Sequence, residues 1–108
     1  MKPLMAAAIQ MTSGDDIDAN IVQLEPLIAE AVARGARFVA TPENTFYMRR
    51  EGTAGMTDMP MAEHPGIRYA QAAAKQYGIW LLIGSIRALD AGMERPFNRS
   101  VLLSPQGE

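Results

Sequence analysis

The chain has 108 residues, 48% hydrophobic and 20% charged, with a formal net charge of −2. That balance fits one small globular domain with a modest core and argues against wholesale disorder. It offers no electrostatic footprint for nucleic acid or an anionic membrane, and apolar runs such as "GIWLLIG" are far too short to span a bilayer. The absence of cysteine removes disulfides, thiolate chemistry and cysteine-ligated metal from these residues.

The elements follow in chain order. "LMAAAIQM" (Leu4–Met11) is apolar nearly throughout, as in a strand covered on both faces. One lysine precedes it, but the run is short, meets Gln10 and leads into no cleavage-type segment, so a strand in a cytoplasmic chain is the reading. After the polar "TSGDD", Ile17, Ile21, Leu24, Ile28 and Val32 recur at helical spacing, with acids at the start and Arg34-Gly35 at the end. Pro26 inside this pattern predicts a kink or a late start.

"ARFVAT" (Ala36–Thr41) reads as a second strand, and the stretch from Pro42 to Pro65 as a long loop. "PGIRYAQAAAKQY" restores a helix with proline in its first turn, a smooth face of Ala70, Ala73 and Ala74, and Gly78 as its stop. "IWLLIGSIRAL" and "FNRSVLLS" then form an antiparallel pair across "DAGMERP". The prediction is a β-α-β-α-β-β chain with strands near 4–10, 36–41, 79–87 and 97–103, and helices near 18–34 and 66–77. The first three strands run parallel, and both helices lie on one face. "SPQGE" is a turn that should lead into a further strand, so residues 1–108 are expected to be a single, incomplete domain.

The candidate chemistry centres on Glu43. Ligand sites in open α/β sheets form beyond the carboxyl ends of strands, where Glu43 stands in "FVATPENTFYM". Pro42 and Phe46 beside it could partly desolvate a general base, while position alone favours the commoner case of a solvated loop acid. His64, the sole histidine, reads as a structural or exposed residue in a helix lead-in. Met48, Met56, Met59 and Met61 read as gap-filling loop residues in the absence of metal-ligand clusters. Arg49 and Arg50 read as a solvated pair able to attract an acidic substrate, and "REGTAG" lacks the strand and lysine of a phosphate loop. Asn98 opens the fourth strand and is weak alone.

Taken in order, "AAIQMTSGDDIDANI", "EAVARGARFVATPENTF", "AAAKQYGIWLLIGS" and "FNRSVLLSPQGE" resemble the carbon–nitrogen hydrolase (nitrilase) superfamily, and within it the Nit-like amidase branch. The strongest element is Gly-Ala-x-x-Val-x-x-Pro-Glu, ending at Glu43. The resemblance implies the amino-terminal part of an α-β-β-α sandwich, a homo-oligomer joined through helical faces, a small amide or nitrile as substrate, and no cofactor or metal. It also implies a Glu-Lys-Cys mechanism with Glu43 as the catalytic base. The family's lysine follows the turn corresponding to "SPQGE" and its cysteine lies further on. Here the only lysines are Lys2 and Lys75, and cysteine is absent. The isolated chain is therefore expected to be inactive. A binding or interaction module that kept the fold is the alternative. A flavodoxin-like or Rossmann-like domain is disfavoured by the missing glycine fingerprint.

Overall fold

The computed structural model describes residues 3–49 and 59–108. The elements are β1 (Ala6–Ala8), α1 (Ile17–Ala33), β2 (Phe38–Ala40), α2 (Pro65–Tyr77), β3 (Trp80–Ala88) and β4 (Phe97–Leu103), with a short 3-10 turn at Met61–Glu63. One sheet runs β1-β2-β3-β4, the first three strands parallel and the fourth antiparallel to β3. Element order and strand directions are as the sequence implies.

The first two strands are shorter than expected: β1 is all alanine, which contributes little side-chain packing to a strand, and β2 is followed closely by Pro42. Their ladder still extends through single hydrogen bonds, Arg37 N donating to Met5 O at 2.9 Å and Ile9 N to Ala40 O at 2.8 Å. Pro26 does not delay α1, which begins at Ile17 with Asp16 Oδ1 accepting from Ala19 N. The proline sits on the exposed side, where the carbonyl it leaves unpaired can meet water. Gly35 (φ 98°) and Gly78 (φ 63°) turn the chain out of the two helices in the left-handed region.

The core lies between the helices and one face of the sheet. Leu24 and Ile28 of α1 and Ala70, Ala73 and Ala74 of α2 pack over Val39, Leu81, Ile83, Ile86 and Leu103. The alanines allow the close helix-to-sheet approach their spacing suggests. The helices are also joined to each other, since Glu25 accepts from the hydroxyls of both Tyr69 and Tyr77.

The opposite face is open. Phe38 lies beside Trp80, and Leu82 beside Leu102, in register on that side. Trp80 is 43% and Leu102 49% exposed. Two helices on one side of the sheet leave these apolar residues of the other face exposed, as their placement implies.

Candidate functional site

β2 delivers the chain to its carboxyl end beside the middle of β3, where Thr41 N donates to Leu82 O at 2.9 Å. Pro42 then stops the ladder and Glu43 occupies the turn, exposed. The partial desolvation expected from Pro42 and Phe46 is not found. Phe46 turns away into the core at 1% exposure, its ring against those of His64 and Tyr69.

The turn is held by residues that sequence patterns did not single out. Thr45 Oγ1 is fully buried, 2.7 Å from Thr41 Oγ1 and 2.5 Å from the Pro42 carbonyl. Its one hydrogen serves either acceptor, which ties Thr45 back to the start of the turn that carries Glu43. Asn44 adopts φ 54°, and its backbone N–H donates to Ser85 Oγ at 2.8 Å. Among non-glycine residues asparagine tolerates that region best, which was the one local signal available.

Asn20 joins this turn to the loop after β1. Its side chain is 2% exposed, accepts from Gly14 N, and donates toward Gly14 O at 2.9 Å and Phe46 O at 2.8 Å. Ser13 Oγ donates to Thr45 O, and Met48 N to Gly14 O. The carboxyl ends of β1 and β2 are thus stitched together.

His64 is structural. It is 1% exposed, its Nδ1 accepts from Gly66 N at 3.0 Å as the cap of α2, and burial lowers its pKa. A cavity of about 10 Å³ lies beside it, bounded by Asn44, Tyr47, Ser85 and Arg87, with room for about one water. A roomier cleft of about 290 Å³ runs along β1 and α1, lined by Gln10, Leu27, Glu30 and Arg34, and contains none of the residues around Glu43. Met48 and Arg49 are exposed, and Met59 and Met61 half-buried; Arg50 and Met56 lie outside the described residues. Asn98 is exposed on β4 opposite Arg87. No group of three or more histidine or acidic residues suited to a metal ion occurs among the described residues. No described helix is long and apolar enough to cross a membrane.

A parallel β-α-β-α-β sheet with an acid on the turn after its second strand, matched along residues 5–108 by the carbon–nitrogen hydrolase family model, places the chain in that family. Its relatives are amidases. It is 31% identical over 109 residues to a deaminated glutathione amidase of Synechocystis sp. (strain PCC 6803 / GT-S) and 27% identical over 111 residues to one of Yersinia enterocolitica. It covers 100% of itself in both alignments but only 40% and 38% of those proteins. In structure it resembles an amidase from Nesterenkonia sp. AN1, with acrylamide added at the active-site cysteine, at TM-score 0.80 and 22% identity over 98% of this chain and 41% of that one. Saccharomyces cerevisiae Nit3, of the nitrilase superfamily, matches at TM-score 0.76 and 20% identity over 89% and 37%. The fold is that of the amino-terminal part of nitrilase-type structures.

Proposed function

We propose that residues 1–108 form the amino-terminal part of one carbon–nitrogen hydrolase domain, and that Glu43 is its general base. The observation that carries this is the placement of Glu43. It stands on a tied-down turn at the carboxyl end of a parallel strand, at the close of the Gly35-to-Glu43 stretch that resembles the family. The chain spans about two fifths of its curated relatives. The remaining catalytic groups, a lysine and a cysteine, belong on this reading to the complete protein.

In that protein the Glu43 carboxylate takes the thiol proton, and the thiolate attacks the amide carbonyl carbon. The lysine stabilises the resulting oxyanion. Collapse breaks the carbon–nitrogen bond as Glu43 passes its proton to the departing amine; Glu43 then takes a proton from the water that attacks the thioester and returns it to the released thiolate. Glu43 is exposed in this chain, so its final desolvation has to come from segments that close over the turn.

A base without a nucleophile forms no thioester, so the 108 residues alone should cleave no amide. The test is Glu43→Gln in the full-length protein, followed by release of amine or ammonia from deaminated glutathione and simple aliphatic amides. Loss of turnover with an unchanged melting profile is expected. Turnover near wild type removes Glu43 from the mechanism.

A further inference from the structure

β3 does not run regularly past the site. Ile83 pairs with Val101 and Ile86 with Arg99, so Gly84 and Ser85 together oppose the single residue Ser100. This is a β-bulge, and it reverses the alternation of the strand. Leu81 and Ile83 are buried before it, Ile86 and Ala88 after it. In a regular strand Ser85 would share the helix-covered face with Leu81 and Ile83. The extra residue takes it off that face and aims its hydroxyl at the turn after β2, where it accepts from Asn44 N at 2.8 Å.

Two further contacts fix the bulge against that turn. A Cβ on Gly84 would lie 2.5 Å from Thr41 O and from the carbonyl carbon and oxygen of Pro42, so the backbones meet closely only because residue 84 is glycine. From the other side, Ser100 Oγ donates to Gly84 O at 2.7 Å. The Ser85 bond therefore runs from a clamped strand to the residue immediately after Glu43. That residue is Asn44, whose left-handed backbone needs outside support.

We propose that Ser85 is a positioning residue for Glu43: its bond to Asn44 N fixes the direction in which the turn presents the carboxylate. This rests on Glu43 being the base. Ser85 contacts the backbone of the turn and makes no claim on substrate, so losing its hydroxyl should affect the rate of the chemical step and leave substrate binding alone.

The experiment compares Ser85→Thr, Ser85→Val and Glu43→Gln in the full-length protein on the same amides. Threonine and valine have the same shape and differ at this position in the hydroxyl. S85T is expected to keep kcat within a few-fold of wild type. S85V should lose about 10–100-fold in kcat at unchanged KM, the scale set by sub-ångström to ångström misplacement of a catalytic group. Hydrogen exchange at the Asn44 amide should be slow in wild type and S85T and fast in S85V. Equal kcat in S85T and S85V, with E43Q inactive, overturns the role of Ser85 alone. An active E43Q overturns the reading of the site, and the Ser85 proposal with it.

Discussion

The ring of Phe46 occupies the space in which a side chain at Gly66 would begin. A Cβ on Gly66 would fall 2.4 Å from two ring carbons of Phe46, so the first turn of α2 and the end of the Glu43 turn share one volume. Phe46 is 1% exposed and Gly66 is buried, so the ring can yield only toward the cavity of about 10 Å³ that it borders.

Gly66→Ala should therefore destabilise the protein. Alanine in a helix ordinarily gains about 1 kcal/mol over glycine. Overpacking a filled core costs about 1–3 kcal/mol, and here the obstacle is a ring between fixed neighbours. The net effect expected in a urea titration is a lowered midpoint, restored in part by Phe46→Leu in the same chain. A raised midpoint for G66A alone would show that the ring moves freely.

The bridge from Glu25 to Tyr69 and Tyr77 should make the fold alkali-sensitive. Burial, then the hydrogen bond to Glu25, raises the Tyr69 pKa; the Glu25 bond is the first cause at Tyr77. A folded pKa above the unfolded value gives stability that is complete below about pH 10 and drains away as the pH climbs toward the folded value. Tyr69→Phe should cost about 1–3 kcal/mol at neutral pH, as for hydrogen bonds to charged groups. It should also flatten the decline above pH 10 in melts taken across the alkaline range.

His64 gives the opposite dependence at the acid end. Burial lowers its pKa, so its contribution is complete above about pH 6.5 and is lost as the pH falls through the lowered folded value. The cause is concrete: a protonated Nδ1 cannot accept from Gly66 N, and a cation there opposes the amino-terminal end of the α2 dipole. His64→Asn keeps a capping oxygen and should remove the His64 share of the stability lost as the pH falls below about 6.5. His64→Ala should cost about 0.5–2 kcal/mol at pH 7.

The open sheet face predicts self-association of residues 1–108 made alone. Phe38, Trp80, Leu82 and Leu102 form a contiguous apolar surface on register partners. Covering one large apolar side chain is worth about 1.5–3 kcal/mol, so a few left in water rival the stability of a small domain. Sedimentation should find oligomers or aggregates, and the pair Trp80→Thr with Leu102→Thr should reduce them. A monodisperse wild-type chain with a sharp melt would show that this face tolerates water.

The elements were legible because their signals are local. Ile17 to Val32 recur at helical spacing, and Pro65 in the first turn and Gly78 after the last bracket α2. The position of Glu43 after a strand was legible for the same reason. What holds Glu43 was not. "LLIGSIRA" reads as an unbroken strand, and only its pairing with β4 shows that Gly84 and Ser85 face a single residue. Phe46 read as a shield over the acid, yet its burial depends on a glycine 20 positions away. Tyr69 and Tyr77 find Glu25 across the gap between two helices, a partnership no periodicity encodes.

The Asn20 amide gives the site end of the sheet a shared fate. It belongs to the first turn of α1, yet it holds Gly14 in one loop and Phe46 in the other. Neither loop can swing outward while that amide keeps its bonds, and a buried asparagine stripped of them bears a desolvation penalty. Opening of the Glu43 turn is therefore coupled to fraying of α1. Amides at Gly14, Ala19 and Met48, far apart in sequence, should exchange with solvent as one cooperative unit.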